Sequence, residues 1–209
     1  MYTSSREGTD SFFEAIYTQR AIRRFKPDPV PDDLLLRVLE AATKAPSGSN
    51  QQPWRFLVVR DAAKRKAMSE ALKAHLQSNE AMRTYFESGA QSDDRSKRLM
   101  LTGALELAYH IDAAPAVIIP CLTSGSDRLL GGSSIYPAVQ NLLLAARALG
   151  LGTVLTTFNM GIDGMLRELL GIPEAARPVA LIPIGYPDGN FGPTRRKPVE
   201  EVVGWDGWD

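Results

Sequence analysis

The sequence contains a single cysteine, Cys121, among 209 residues, and neither sign of charge is in excess. One cysteine cannot form an internal disulfide, which excludes the small disulfide-stapled folds and favours a reducing, cytoplasmic location. Because 24 Lys and Arg residues are balanced by 24 Asp and Glu residues, no overall positive field favours nucleic acid or an anionic membrane as a partner. Any site for an anion must therefore be local.

Long apolar segments are also missing. The longest apolar run, residues 113–122, contains two prolines and has about half the length that a membrane-spanning helix needs. The N-terminal segment carries charges and lacks the apolar stretch of a secretory signal. The composition is typical of a soluble globular chain, and the length favours one domain over residues 1–209.

Several common catalytic signatures do not occur. The chain has no Walker-type phosphate loop, no GxSxG nucleophile elbow and no paired CxxC, and its two histidines lack an HExxH context. The segment Gly150-Leu151-Gly152 follows a helical pattern and lacks the third glycine of a dinucleotide fingerprint. We therefore predict no metal site and no Rossmann-type nucleotide site.

Apolar periodicity and turn-forming residues divide the chain into helices and short strands. We predict helices over residues 11–18, 31–44, 133–149 and 163–170, with two or three more between 61 and 110. We predict strands over 54–60, 115–121, 151–157 and 179–185, a loop of small residues over 123–132 and an extended tail over 187–198. Strands interspersed with helices in this way indicate a mixed sheet covered by helices.

Two groups of basic residues stand out in this neutral chain. Residues 19–26 contain four cations and no acid, and the prolines that follow keep the segment extended. The second group, Arg195, Arg196 and Lys197, lies in the predicted tail. Either group alone is more often a solvated surface, but two of them in extended segments can form one site for a phosphate or another dianion.

Four segments, in this order, resemble the FMN-dependent nitroreductase family. They are QRAIRRF (19–25), APSGSNQQPWRFLVV (45–59), PAVQNLLLAARALGLGTVLTT (137–157) and IGYPDGNFGPTRRKPVEEVV (184–203). The resemblance covers about residues 13–203. It implies an α+β nitroreductase-like fold with a central mixed, mostly antiparallel sheet flanked by helices. It also implies an interlocked homodimer with two FMN molecules at the subunit interface.

The first two segments carry implied FMN contacts. The family's first motif usually reads Arg-Arg-Ser-x-Arg-x-Phe, and this chain departs from it at Gln19 and Ala21. Arg20 corresponds to a phosphate or ribityl contact. Arg23 corresponds to the cation that faces N1 and the C2 carbonyl of the flavin, where a fixed positive charge stabilises the negative charge gained on reduction. Four loop residues correspond to the segment that meets FMN, in part across the dimer interface: Pro46, Ser47, Ser49 and Asn50.

The third segment corresponds to the strand end that passes the flavin ring. In relatives, a backbone N–H or a threonine hydroxyl there bonds N5, the atom that accepts and releases hydride. The matching residues are Leu155, Thr156 and Thr157. Among the implied contacts, Arg23 and Thr157 are the expected catalytic residues.

The fourth segment and the preceding apolar helix complete what the resemblance implies. Arg195 and Arg196 correspond to the basic pair that closes on the phosphate, with Lys197 beside them. Since Gln19 replaces an arginine, we expect this tail to carry more of the phosphate binding. The helix over 133–149 is expected to form dimer core, with Ser134 at a position that makes substrate-side contacts in some relatives.

The implied reaction is ping-pong hydride transfer. NADH or NADPH reduces FMN at N5 and leaves, and a small electrophilic acceptor such as a nitroaromatic or a quinone takes the hydride in the same pocket. No protein nucleophile is needed, which agrees with the missing catalytic signatures. The variable region over about 72–98 would form a lid, where Tyr85 and Phe86 would stack on a planar acceptor.

Three alternatives stay open. Relatives on this fold dehalogenate iodotyrosine or fragment FMN, and the dehalogenases clamp their substrate with a Glu, a Tyr and a Lys of the lid. Here Glu80, Tyr85 and Lys97 occur, at a spacing that fits that pattern poorly. A flavin-binding protein without turnover is the second alternative, favoured by Gln19 and Ala21. The third is a protein without flavin whose basic segments bind a protein partner.

Overall fold

The computed structural model describes residues 8–123 and 128–208, and this part of the chain forms seven α-helices and five β-strands. The helices are α1 (Phe12–Thr18), α2 (Asp32–Thr43), α3 (Ala62–Ser78), α4 (Glu80–Ala90), α5 (Arg95–Tyr109), α6 (Arg128–Ala148) and α7 (Asp163–Leu170). The strands are β1 (Trp54–Val59), β2 (Ala116–Leu122), β3 (Gly152–Thr153), β4 (Arg177–Pro178) and β5 (Ile182–Gly185).

The five strands form one sheet in the order β1-β2-β5-β3, and β4 pairs with the end of β2. Each of these pairs is antiparallel, and a parallel bridge joins Ala21 to Thr153 of β3. The central strand β2 is buried along its whole length, which explains its continuous apolar sequence. This architecture confirms the predicted α+β class with a mostly antiparallel sheet.

Helices cover both faces of the sheet. Successive residues of β2 point to opposite faces, so that Ile118 packs beneath α2 and α6 while Val117 and Ile119 pack beneath α3 and α7. Cys121 lies in the second layer, where burial raises the pKa of its thiol to about 11. The thiol therefore stays protonated and unreactive at neutral pH. None of the described helices is long and apolar enough to span a membrane.

Side-chain caps divide residues 61–110 into three helices. The side chains of Asp61, Asn79 and Asp94 each accept hydrogen bonds from backbone N–H groups of the helix that follows, at 2.8–3.1 Å for the shortest bond of each. Asn79 therefore ends α3 and starts α4 in one step. The prediction of two or three helices in this region is therefore confirmed, with three.

The loop predicted over 123–132 is wrong from residue 128 onward, because α6 begins at Arg128 and includes two glycines. Glycine has a low intrinsic helix propensity, which tertiary packing overrides here: Gly131 is buried. The rest of the predicted loop, apart from Thr123, lies outside the described residues.

The strand predicted over 151–157 is shorter than expected because of its partner β5. Leu181 exchanges two backbone hydrogen bonds with Thr156, at 2.9 and 3.0 Å. Two residues further along the same edge, Pro183 has no N–H to offer Val154, so the ladder is interrupted there. Regular pairing is left only at Gly152–Thr153, and the strand predicted over 179–185 is reduced to β5.

The helices α4 and α5 pack so closely that the contact requires a glycine. A Cβ atom at Gly89 would overlap the side chain of Leu101 on α5. We expect Gly89→Ala to lower the free energy of unfolding by about 1–3 kcal/mol, because the added methyl group forces the helices apart. Gly164→Ala in α7 is the matched control, since a Cβ there meets nothing within 4 Å. Urea denaturation measures the free energy of unfolding of both variants. Equal stability of the two would contradict the close packing of α4 on α5.

Candidate functional site

The basic segment, residues 19–26, runs along the open edge of β3. Ile22 donates its N–H to the carbonyl of Thr153 at 2.9 Å, and Lys26 donates to the carbonyl of Tyr186 at 2.9 Å. A Cβ atom at Gly152 would lie 2.6 Å from Cγ2 of Ile22, so this glycine allows the close approach. The Gly150-Leu151-Gly152 segment thus ends α6 and admits the basic segment, which is a structural role.

A cavity of about 360 Å³ opens between the basic segment, α5 and residues 188–190. Arg20, Arg23 and Arg24 line it from one side, and Thr102 and Glu106 of α5 line it from the other. Sequence reasoning misses the two α5 residues, because no motif marks them. Residues 188–190 belong to the fourth family segment, but the sequence assigns them no role in a site. This cavity is the candidate functional site.

The charges in this cavity are only partly neutralised. Arg24 pairs with Glu106, whose Oε2 lies 2.9 Å from Nη2, and this contact raises the pKa of Arg24. Burial lowers the pKa of Arg23, and the like charge of Arg20 lowers it further. Within the described chain, neither Arg20 nor Arg23 has an ion-pair partner. Two mutually repelling cations beside a cavity favour an anionic ligand.

The tail brings the second basic group to the C-terminal end of α1. Thr194 donates its N–H to the carbonyl of Tyr17 at 3.0 Å, in the last turn of α1 and just before Arg20. Arg195 and Arg196 follow this anchor and are exposed. The two basic groups found in the sequence therefore lie at one end of α1.

The segment after β3 presents two threonines in different environments. Thr157 is exposed, and its backbone N–H meets no acceptor among the residues that the structure describes. Thr156 is buried, and its Oγ1 has no hydrogen-bond partner in the described chain. Leu155, which lies between β3 and Thr156 in the sequence, is half-buried. Thr157 thus offers two donors in this segment, its backbone N–H and its hydroxyl.

The buried hydroxyl of Thr156 leads to a prediction on stability. Thr156→Val replaces an unpaired polar atom with a methyl group of similar shape, so we expect the flavin-free protein to gain about 1 kcal/mol in its free energy of unfolding. Urea denaturation of the flavin-free form measures this change. A loss of stability would mean that the hydroxyl has a partner in solution.

The loop over 46–50 does not line the cavity of its own chain. Ser47 Oγ accepts the N–H of Gln52 at 3.0 Å, and Ser134 Oγ on α6 accepts the N–H of Gly48 at 3.2 Å. In and just after this loop, left-handed backbone occurs at three non-glycine residues: Ser49, Asn50 and Gln52. Such conformations are strained and typical of functional loops. Pro46 and the two residues Ser49 and Asn50 are exposed, so the loop is open to an external partner.

The lid prediction is partly wrong. Phe86 is only 6% exposed and packs against Phe158, with ring centroids 6.3 Å apart, so it is not available to stack on an acceptor. The helical period places Phe86 on the inner face of α4, among Leu76 and Leu101. Tyr85 is 54% exposed, and its ring lies edge-on to that of Phe86, with ring centroids 5.5 Å apart.

The comparisons with known proteins agree with the sequence resemblance. The model of the Nitroreductase family matches residues 16–186. A protein named NADH dehydrogenase from Thermus thermophilus is 34% identical over 208 residues, which cover 91% of this chain and 94% of the relative. An iodotyrosine deiodinase from Nematostella vectensis is 28% identical, over 92% of this chain and 74% of the relative.

The fold has counterparts among solved structures. A nitroreductase with bound FMN from Desulfitobacterium hafniense DCB-2 superposes with a TM-score of 0.73, over 93% of this chain and 98% of that one, at 21% identity. This likeness confirms the predicted fold. Since the family match spans more than half of the sequence, the chain belongs to the nitroreductase family.

Proposed function

We propose that the protein is an FMN-dependent NAD(P)H oxidoreductase that reduces nitroaromatics, quinones or similar electrophilic acceptors. The observation that carries the proposal is the pair Arg20 and Arg23, two cations that line a cavity and have no ion-pair partner among the described residues. Family membership supports it, as do the names of the relatives, which include an NADH dehydrogenase and a nitroreductase with bound FMN.

The residues present fit FMN at both of its ends. Arg20, Arg195 and Arg196 gather at the end of α1, where they would hold the phosphate dianion by charge-assisted hydrogen bonds. Arg23 would face the pyrimidine edge of the ring, and Thr157 would offer its N–H to N5. The cavity volume lies in the range of small-molecule sites.

When bound, FMN supplies N5, an atom that takes hydride from a nicotinamide and gives it to the acceptor. The chain contributes position and charge. Arg23 is half-buried, so water competes weakly with its interactions and its positive charge acts strongly on a nearby negative charge. The N–H of Thr157 is fixed by the backbone, which holds the reacting edge of the ring in one orientation.

The site is completed by a second copy of the chain in this proposal. The strained loop at Ser49 and Asn50 is exposed and does not line its own cavity, which suits a role in the site of the other protomer. The aromatic side chains of Phe12 and Phe13 on α1 are also exposed and are available for an interface between copies. We propose a cytoplasmic homodimer with FMN at its interface.

Reductive dehalogenation is the second candidate, since iodotyrosine deiodinases are among the relatives. The lid geometry disfavours it. Glu80 and Tyr85 both lie on α4, and five residues along a helix correspond to about 140° of rotation, so the two side chains point in different directions. They would not clamp one substrate together with Lys97 of α5.

Steady-state turnover with three acceptors tests the proposal. FMN-loaded protein is mixed with NADH or NADPH and a quinone, a nitroaromatic or iodotyrosine. We expect nucleotide oxidation that depends on the quinone or the nitroaromatic, with the parallel double-reciprocal lines of ping-pong kinetics. Faster release of iodide than reduction of the quinone would favour the dehalogenase, and bound FMN without turnover would favour a binding protein.

A further inference from the structure

A buried arginine lies outside the cavity, beneath the end of α1. Arg147 on α6 is 1% exposed. Its Nε donates to Oγ1 of Thr18 at 2.8 Å, and its Nη2 lies 3.3 Å from Oε1 of Glu14. Its guanidinium carbon stands 4.2 Å from the centroid of the Phe191 ring. We call these four residues the Arg147 cluster.

The ion pair in the Arg147 cluster adds little to the stability of the fold, given the cost of removing its charges from water. Burial lowers the pKa of Arg147, and the charge of Glu14 acts in the opposite direction. Taking a guanidinium and a carboxylate out of water costs free energy that their attraction often only offsets. Apolar residues of the same volume would commonly stabilise this core as well or better. The role of the ion pair is therefore better explained by the positions at which it holds the neighbouring segments.

The geometry that it fixes is the spacing of the two basic groups. Glu14 and Thr18 hold α1, whose end continues directly into Arg20. Phe191 holds the start of the tail, three residues before Thr194, whose N–H donates to the carbonyl of Tyr17. The guanidinium thus contacts both segments, and its planar set of donors allows little slippage between them.

We infer that Arg147 is a positioning residue that holds the two phosphate-binding segments at a fixed spacing and so makes the protein select FMN over riboflavin. This inference rests on the proposed FMN binding. Riboflavin has the same ring but no phosphate. A change in the spacing of Arg20 relative to Arg195 and Arg196 therefore weakens the binding of FMN and leaves the binding of riboflavin unchanged.

The test compares the affinities for the two flavins in flavin-free protein, measured by quenching of flavin fluorescence at fixed salt. Arg147→Met keeps the length of the side chain and removes the charge and the donors, and Arg147→Lys keeps the charge and removes the planar fork. We expect wild type to prefer FMN and Arg147→Met to lose about tenfold or more of this preference. The dissociation constant for riboflavin should change by less than about threefold. The preference of Arg147→Lys for FMN should lie between those of wild type and Arg147→Met. If Arg147→Met does not fold, Arg147→Lys is compared with wild type instead.

Arg65→Met is the matched control. Arg65 on α3 donates to the backbone carbonyls of Asp112 and Ala114, and α3 packs on the opposite face of the sheet from α6. This variant should lower the melting temperature and leave the ratio of the two affinities unchanged. Equal weakening of FMN and riboflavin by the Arg147 variants would overturn the inference and leave a purely structural role. Failure of wild type to bind either flavin would instead refute the proposed function.

Discussion

Arg23→Met is expected to slow flavin reduction by NAD(P)H about 10²–10³-fold, the range found when one preorganised donor is removed from a site of developing charge. The cause is electrostatic. Reduction brings negative charge to the flavin, and Arg23 is the half-buried cation of the cavity that has no acid partner among the described residues. Methionine keeps the aliphatic part of this side chain, which lies close to Gly103 of α5. FMN binding should weaken by no more than about tenfold, since neutral oxidised flavin gains less from the charge.

Stopped-flow reduction under anaerobic conditions and FMN titration measure the two effects separately. Removal of the cation should also lower the reduction potential of the bound flavin. Arg24→Met is the matched control, because Arg24 is adjacent, exposed and already paired with Glu106. Its rate should stay within about threefold of wild type. Equal losses in rate and binding for Arg23→Met, or the same loss for Arg24→Met, would contradict the assigned role.

Arg196→Ala is expected to weaken FMN binding by about 10–100-fold, which is the loss of one charge-assisted contact to a phosphate. The tail is anchored to the end of α1 by the hydrogen bond from Thr194 to Tyr17, so Arg196 follows this anchor closely in the sequence, as Arg20 follows Tyr17. Because Gln19 stands where the family motif has an arginine, little else compensates for the lost charge. The turnover number at saturating FMN should remain within about threefold, since the phosphate is remote from N5.

Equilibrium titration with FMN at several salt concentrations measures this loss. The affinity of wild type should fall with increasing salt more steeply than that of Arg196→Ala, because the variant has one fewer cation for the phosphate. Lys197→Ala removes the neighbouring charge and should have a smaller effect. Unchanged FMN affinity in Arg196→Ala would refute the role of the tail in phosphate binding.

Local signals allowed accurate prediction where both ends of an element are marked in the sequence. The helix over 163–170 begins at an acidic residue and ends before Gly171, which adopts the left-handed conformation with φ of 65°. The extended conformation of the basic segment was also predictable, since prolines follow it. The first family segment contains the three cations that line the cavity, Arg20, Arg23 and Arg24.

The rest depends on partners that are distant in the sequence. The break in the strand over 151–157 is caused by Pro183 on the neighbouring strand, and nothing in residues 151–157 themselves reveals it. Glu106, which neutralises Arg24, is 82 residues away, and the ion pair of Arg147 with Glu14 joins positions 133 residues apart. A single sequence shows Arg147 as one more cation on a helix, so its burial could not be predicted.

The most direct test of the central claim, that this chain passes hydride through FMN, is the visible absorption spectrum of the FMN-reconstituted protein under anaerobic conditions. NADPH or NADH is added first, and then a quinone. We expect the flavin absorption to bleach with at least one nucleotide and to recover when the quinone is added. A protein that holds no FMN, or one whose bound FMN stays yellow with both nucleotides, would contradict the claim.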